Sequence, residues 1–251
     1  MKYLFTEEGQ KILESFCFTP TLFAFDYDGT LAQIVETPSE AKMTSTTQFL
    51  LSELERVAPV AIISGRGMED LRTLNRFHPK YLIGNHGLEG LKAHSGCLQT
   101  AKTVCELWKR TLFPFIKKHP GIDLEDKGYS LALHYRKSRA KGATKLLALE
   151  ACAELNPPPR LIMGKCVVDL IPPGAPHKGM AFLELMLECN VKTAFYIGDD
   201  DTDEDIFTLP DTRLLAVRVG KKSATGAQFY IREQYEINRV LETIIGYLKG
   251  A

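Results

Sequence analysis

Short apolar runs recur along the chain, and amphipathic stretches lie between them. Several of these runs predict strands, namely TLFAF (21–25), VAIIS (60–64), YLIG (81–84), TAFYIG (193–198) and LLAVRVG (214–220). They lack the polar alternation of a half-exposed strand, which is typical of strands buried on both faces of a parallel sheet. We therefore expect a parallel sheet at the centre of the fold.

Two stretches between these strands carry apolar side chains at helical spacing. Residues 44–58 place Phe49, Leu50 and Leu54 near one face of a predicted helix. Residues 179–190 do the same with Phe182, Leu183, Met186 and Leu187. Strands that alternate with helices predict an α/β fold with a doubly wound parallel sheet.

The middle of the chain has a different order of elements. The pattern predicts, in turn, a helix from residue 98, strands at 121–128 and 129–136, a helix at 138–155, and strands at 160–164 and 165–171. In the second strand Leu131 and Leu133 alternate with Ala132 and His134, as in a half-buried antiparallel strand. We predict a small α+β domain at residues 92–169, inserted into a core domain formed by residues 1–91 and 170–251.

Charge and cysteine content narrow the class of protein. The chain has 31 basic and 31 acidic residues and a formal net charge of zero, so it lacks the basic footprint of a nucleic-acid-binding protein. Its six cysteines form no C-x-x-C pair, which favours a reducing compartment over a disulfide framework. The first residues do not read as a signal peptide, and no apolar stretch approaches the ~20 residues of a membrane span. We expect a cytoplasmic protein with no membrane partner.

Polar side chains follow three of the predicted strands, where open α/β sheets bind ligands. Asp26 and Asp28 follow the first strand, and Ser64 ends the second. The acidic run GDDDTDED, with Asp199 at its start, follows the strand at 193–198. Asp26 and Asp28 project to the same side of an extended chain and can meet Asp199. Such a cluster would repel itself, and a cation such as Mg²⁺, which prefers oxygen ligands, would relieve the repulsion.

Plainer interpretations exist for each of these features alone. A single aspartate at a strand end is usually a solvated turn residue. The acidic run is also typical of a helix N-terminus. Lys178 alone reads as a surface lysine, although beside a carboxylate site it could bridge a nucleophilic carboxylate and a phosphate. The two acidic clusters together favour the metal site.

These residues resemble the motifs of the haloacid dehalogenase-like phosphohydrolases. The motifs occur in the family order: DYDGT (26–30), SGR (64–66), Lys178 and GDDDTD (198–203). The inserted block resembles the C2B cap of that superfamily. Within it, the chain is similar to the trehalose-6-phosphate phosphatase family in GNHGLE (84–89), EDKGYSLALHYR (125–136) and GKCVVDLIPPGAPHKGMAF (164–182). Asp169 departs from that family, which usually has Glu there.

The resemblance implies a Mg²⁺-dependent phosphatase acting through an aspartyl-phosphate. It implies that Asp26 is the nucleophile and that Asp28 is the general acid and base. Mg²⁺ would be held by Asp26, the backbone carbonyl of Asp28, and Asp199. The remaining implied roles are ordering of the metal's waters by Asp200 and Asp203, phosphate binding by Ser64, Gly65 and Lys178, and sugar binding by Glu125, Lys127, Arg136, Lys165 and Asp169.

Two other functions stay open from the sequence. One is a phosphatase for another sugar phosphate, either sucrose 6-phosphate or mannosyl-3-phosphoglycerate. The other is a non-catalytic sugar-phosphate sensor, which the presence of Asp26, Asp28, Lys178 and Asp199 disfavours. We expect a monomer whose partner is a small sugar phosphate, and leave open a functional association with a trehalose-phosphate synthase.

Overall fold

The structure is a computed structural model that describes residues 1–250. The strands are β1 (Lys2–Tyr3), β2 (Thr21–Phe25), β3 (Val60–Ile63), β4 (Tyr81–Ile83), β5 (Asp123–Asp126), β6 (Leu131–His134), β7 (Arg160–Gly164), β8 (Val167–Ile171), β9 (Thr193–Gly198), β10 (Leu214–Val219) and β11 (Phe229–Ile231). The helices are α1 (Glu7–Cys17), α2 (Ser45–Glu55), α3 (Met68–Leu74), α4 (Ser95–Lys118), α5 (Lys141–Ala153), α6 (Lys178–Glu188), α7 (Glu204–Phe207) and α8 (Ile237–Gly250).

The chain divides into two compact units. The first contains residues 1–90 and 177–250, and the second contains residues 91–176. The sequence-based boundary at residue 169 falls inside β8, which pairs with β6 and β7 of the second unit. The second unit therefore runs on through β8 to Pro176.

The first unit is built on a seven-stranded sheet in the order β1-β11-β10-β9-β2-β3-β4, and all of its pairs are parallel. After β2 the chain moves outward through β3 and β4, and it later returns to β9 on the other side of β2. The carboxyl ends of β2 and β9 therefore lie side by side where the strand order reverses, the position at which such sheets bind ligands.

Helices cover both faces of this sheet, as expected for a doubly wound fold. Apolar side chains of α1, α2 and α8 pack with Phe23 and Phe25 on one face. On the other face, Phe182 of α6 and Phe207 of α7 contact the ring of Tyr196, each with ring centroids 5.8 Å apart. The predicted parallel sheet with helices between its strands is confirmed.

The predicted apolar faces of two helices were too wide. In α2, Leu50 and Leu54 are buried, but Phe49 is 61% exposed. In α6, Leu187 is 81% exposed and Leu183 is also exposed, although Phe182 and Met186 are buried. Neighbouring residues of a helix lie 100° apart, so an apolar residue next to a buried one can face solvent.

The second unit has an antiparallel sheet in the order β5-β6-β8-β7. Trp108 and Leu112 of α4 and Ala148 and Cys152 of α5 pack on one face, against Leu131, Leu133, Val168 and Leu170. Glu125, Ala132, Asp169 and Ile162 form a row across the strands, one residue out of phase with that packed face. The predicted α-β-β-α-β-β order is therefore present, with a polar row on the face away from the helices.

Among residues 1–250, none of the helices combines the length and the apolar character that crossing a membrane requires.

Candidate active site

Asp26 directly follows β2, and a turn begins after it. The backbone N–H of Asp26 donates to the carbonyl oxygen of Ile197, 2.9 Å away, so this residue continues the pairing with β9. Gly29 lies in the following turn with a positive φ of 76°. A Cβ atom at Gly29 would lie 2.1 Å from Oδ2 of Asp199. The glycine therefore allows the backbone after β2 to touch the carboxylate after β9.

Lys178, the first residue of α6, lies between two carboxylates. Its Nζ donates to Oδ1 of Asp26 at 2.7 Å and to Oδ1 of Asp203 at 2.8 Å. All three side chains are buried. A buried charge needs a partner in direct contact, and this arrangement gives one cation to two carboxylates.

Burial and neighbouring charges shift the pKa values of the side chains in this site. Burial raises the pKa of the Asp26 carboxyl well above its ordinary value, and Lys178 only partly opposes this effect. Burial, followed by the charges of Asp203 and Asp200, raises the pKa of Asp199 to about 7. Burial would lower the pKa of Lys178, but Asp203 and Asp26 hold that pKa above its usual range. Burial therefore disfavours the charged forms of these carboxyls, and Lys178 offsets only part of that effect.

The carboxylates are arranged closely enough to share a cation. One oxygen from each of Asp26, Asp199 and Asp203 lies within 4.8 Å of the other two. Oδ1 of Asp199 is buried and has no hydrogen-bond partner among the described residues. Asp203 is more fully engaged, because its Oδ1 also accepts from the hydroxyl of Tyr196 at 2.6 Å. An oxygen-only donor set with an unsatisfied carboxylate oxygen fits a hard divalent cation.

Asp200 and Asp203 cap the short 3₁₀ turn Asp201–Asp203. Oδ1 of Asp200 accepts from the N–H of Asp201 at 2.7 Å, and Oδ2 of Asp203 accepts from the N–H of Asp200 at 2.9 Å. The plainer interpretation of the acidic run as a helix N-terminus therefore holds for Asp200 and Asp203, although Asp203 also contributes an oxygen to the cluster with Asp26 and Asp199.

Arg66 binds both carboxylate oxygens of Asp28. The Nε and Nη2 atoms of Arg66 donate to the two oxygens of Asp28 at 2.6 and 2.8 Å. Nη1 of Arg66 donates to Asp70 of α3 at 2.6 Å. The bidentate contact fixes the plane of the Asp28 carboxylate. Sequence reasoning assigned no role to Arg66, although it recognised the SGR motif that contains this residue.

Ser64 and Gly65 follow β3 in the first unit and directly precede Arg66. Ser64 is buried, and its Oγ accepts from the N–H of Arg66 at 3.2 Å. A Cβ atom at Gly65 would lie 2.4 Å from the ring of His86. His86 and its neighbour Asn85 both have positive φ values, of 57° and 48°. Such strain in non-glycine residues persists where surrounding contacts hold it, and it concentrates at functional sites.

The second unit brings three of its predicted residues together and leaves two apart. Nζ of Lys127 lies 2.6 Å from Oδ1 of Asp169, and Oε2 of Glu125 lies 2.7 Å from Nε2 of His134. The hydrogen bond with His134 lowers the pKa of Glu125, and the nearby charge of Lys127 adds to this. Arg136 follows β6 and Lys165 lies in the turn between β7 and β8, so both are outside the row of Glu125 and Asp169. Sequence reasoning placed His134 on the polar face of its strand but gave it no role.

The chain is similar to known proteins in sequence. A model of the trehalose-phosphatase family matches residues 24–232. Trehalose-6-phosphate phosphatase of Escherichia coli is 31% identical over 218 residues, which are 80% of this chain and 80% of that protein. Trehalose-phosphate phosphatase B of Arabidopsis thaliana is 28% identical over 244 residues, and the chain spans 65% of its length.

A solved structure shares the fold. The C-terminal domain of the trehalose-6-phosphate phosphatase of C. albicans superposes with a TM-score of 0.74 at 24% identity, over 94% of this chain and 96% of that one. The sequence-based family assignment is therefore confirmed, and the chain belongs to the trehalose-phosphatase family.

Proposed function

We propose that this chain hydrolyses trehalose 6-phosphate to trehalose and phosphate, through an aspartyl-phosphate on Asp26 and with Mg²⁺ as cofactor. The observation that carries the proposal is the buried Asp26 at the end of β2, in contact with Lys178 at 2.7 Å. It occurs in a chain that the trehalose-phosphatase family model matches from residue 24 to residue 232. A buried carboxylate beside a lysine suits attack on a phosphorus atom, because the lysine neutralises charge as the phosphate approaches.

In the first step, a carboxylate oxygen of Asp26 forms a bond to phosphorus as the bond from phosphorus to the sugar oxygen breaks. The electron pair of that bond stays on the sugar oxygen, which takes a proton from the carboxyl of Asp28. Ser64, Gly65 and Lys178 hold the phosphate oxygens during this step.

In the second step, Asp28 removes a proton from water as the water oxygen bonds to phosphorus. The bond from phosphorus to Asp26 breaks, and its electron pair restores the Asp26 carboxylate. Asp26, Asp199 and the backbone carbonyl of Asp28 would hold Mg²⁺, which would supply positive charge to the reaction. Asp200 and Asp203 would orient its waters.

The second unit contributes sugar recognition to this proposal. Glu125 and Asp169 occupy the sheet face away from α4 and α5, and Lys127 reaches Asp169. Carboxylates and ammonium groups on such a face can accept from and donate to sugar hydroxyls. Arg136 and Lys165 belong to the proposed set by resemblance and lie beyond the strand ends.

Another sugar phosphate is the second candidate substrate. The family usually has Glu where this chain has Asp169, and the carboxylate of Asp169 contacts Lys127 directly. The shorter side chain changes what that position can reach, so sucrose 6-phosphate belongs in any substrate test. We also propose a cytoplasmic location, which the six free cysteines support, and a monomeric state.

The experiment is phosphate release from trehalose 6-phosphate, sucrose 6-phosphate and glucose 6-phosphate. We expect kcat/KM for trehalose 6-phosphate to exceed the other two by roughly tenfold or more, a factor that a few sugar hydrogen bonds can supply. A chelator should abolish turnover, and added Mg²⁺ should restore it. Asp26→Asn should abolish phosphate release while the thermal unfolding transition remains.

Three results would contradict the proposal in different ways. Equal rates on all three esters would indicate a general phosphatase, and preference for sucrose 6-phosphate would establish the second candidate. Full activity in chelator would exclude the Mg²⁺ requirement. Undiminished activity of Asp26→Asn would show that another group is the nucleophile.

A further inference from the structure

Arg218 is a buried arginine of β10, and it lies outside the family motifs named in the sequence analysis. It is 6% exposed and pairs in register with Gly198, the last residue of β9. Its side chain therefore lies beside the segment that carries Asp199. A buried guanidinium is costly unless its donors are used, so its contacts indicate what it stabilises.

The guanidinium of Arg218 holds two successive backbone carbonyls of the acidic segment. Its Nη2 donates to the carbonyl oxygen of Asp199 and its Nη1 to that of Asp200, the latter at 3.0 Å. Nη1 also lies 3.2 Å from Oε1 of Glu204, at the start of α7. The rigid, planar guanidinium of Arg218 thus contacts both ends of the segment from Asp199 to Glu204.

Holding both carbonyls fixes the orientation of two consecutive peptide planes. The carbonyl of Asp199 and the N–H of Asp200 belong to one trans peptide plane and point in opposite directions. With that carbonyl held by Arg218, the N–H of Asp200 faces the other way and donates to Oδ2 of Asp203, at 2.9 Å. The segment keeps the Asp199 carboxylate within the acidic cluster, with its Oδ1 buried and unpartnered among the described residues. A carboxylate that is already oriented binds a cation without first ordering its own backbone.

Glu204 anchors the guanidinium from the other side. Its Oε1 contacts Arg218, and its Oε2 accepts from the N–H of Gly226 at 2.8 Å. Arg218 is therefore fixed by a charged partner that is itself tied to the backbone before β11. Glu204 and Arg218 together therefore hold the backbone of the acidic segment in place.

We propose that Arg218 is a positioning residue for the divalent cation, which it serves by fixing the backbone of Asp199 and Asp200. The inference rests on the proposed function for the identity of the ion. Lysine cannot replace the arginine, because a single ammonium cannot hold two carbonyls and a carboxylate in one plane.

The test is Mg²⁺ binding to the full chain without substrate, measured by isothermal titration calorimetry on the wild type and Arg218→Lys. We expect Arg218→Lys to weaken Mg²⁺ affinity by about tenfold or more, the range found when groups supporting metal ligands are removed. In turnover assays, the Mg²⁺ concentration for half-maximal rate should rise, and kcat at saturating Mg²⁺ should largely recover. A merely structural role would reduce the folded fraction and leave the affinity of the folded protein unchanged.

Lys222→Gln is the matched control. Lys222 forms an exposed ion pair with the side chain of Asp201 and touches neither carbonyl, so its loss should change Mg²⁺ affinity by less than about twofold. If Arg218→Lys does not fold, Glu204→Gln removes the charged anchor, and we expect a smaller but measurable loss of affinity. Unchanged Mg²⁺ affinity in the folded variant overturns the inference, as does a wild type that binds no Mg²⁺. A wild type whose Mg²⁺ affinity depends on Arg218 but which fails to hydrolyse trehalose 6-phosphate overturns only the proposed function.

Discussion

Lys178 is an ion-pair partner in the interior, and under the proposed function it also takes part in the chemistry. It compensates Asp26 and Asp203, and it is only 2% exposed. The same cation would meet the further negative charge of an incoming phosphate under that proposal. The same charge balance therefore explains why α6 begins with a buried lysine rather than with a solvent-facing one.

Replacement of Lys178 by methionine tests this balance. Lys178→Met keeps the bulk of the side chain but leaves Asp26 and Asp203 without their buried cation. We expect the free energy of unfolding to fall by about 3–5 kcal/mol, the cost of breaking a buried pair, as measured by urea denaturation at neutral pH. Adding Asp26→Asn should recover part of the loss, because it removes one uncompensated carboxylate.

Lys11→Met is the control for that measurement. Lys11 pairs with Glu7 on the surface of α1, where the two side chains are 70% and 83% exposed. We expect a change of less than about 0.5 kcal/mol there. A similar small change for Lys178→Met would mean that the fold does not depend on the ion pairs of Lys178 with Asp26 and Asp203.

At the scale of elements, the ends of the strands matter more than the strands themselves. The turn after β2 reaches Asp199 after β9 because Gly29 has no side chain. The strands supply fixed starting points, and the glycine closes the distance between the two acidic segments. This is an effect of close approach, which adds to the cost of positive φ that any other residue would bear.

Gly29→Ala and Gly174→Ala separate these two effects. Both glycines have a φ of 76°, but a Cβ atom at Gly174 would meet nothing within 4 Å, whereas one at Gly29 would meet Asp199. We expect both variants to lose about 1–2 kcal/mol of stability from the backbone term. Gly29→Ala alone should also weaken Mg²⁺ binding, by roughly tenfold, because Asp199 must move. Equal Mg²⁺ affinity in the two variants would argue against a tight contact at Gly29.

The elements also show where sequence reasoning succeeds and where it stops. The predicted strands at 21–25 and 193–198 match β2 and β9, because a strand buried on both faces leaves a continuous apolar run. The short strands β1 and β11, of two and three residues, were not predicted. Helical spacing alone also left Phe49 and Leu187 on the wrong face.

Some contacts of the candidate site could be predicted from the sequence, and others could not. Asp26 and Asp199 could be predicted to meet, because each follows a buried parallel strand. Arg218 could not, since it contacts backbone carbonyls, which any residue provides and no motif records. The same holds for Tyr196, whose hydroxyl finds Asp203 only through the fold of the segment after β9. Sequence patterns predict chemistry at strand ends better than the side chains that support it.

At the scale of the whole molecule, the two units carry different kinds of charge arrangement. The first unit brings the carboxylates of Asp26, Asp199 and Asp203 close together, with Lys178 in contact with two of them. In the second unit, Lys127 is paired with Asp169 and Glu125 with His134. Polar groups of this kind suit hydroxyl recognition, because they can donate to and accept from sugar hydroxyls. Under the proposed function, the first unit does the chemistry and the second selects the sugar.

Glu125→Ala tests this division of roles. We expect it to lower kcat/KM for trehalose 6-phosphate by about tenfold to a hundredfold, the value of one or two lost hydrogen bonds to a charged group. The rate on p-nitrophenyl phosphate, which has no sugar, should change by less than about threefold, because Asp26 and Lys178 are untouched. Glu150→Ala on α5 is the matched control, since that exposed glutamate lies on a helix that packs on the opposite face of the sheet. Equal loss on both substrates would indicate that Glu125 supports the fold of the second unit rather than the sugar.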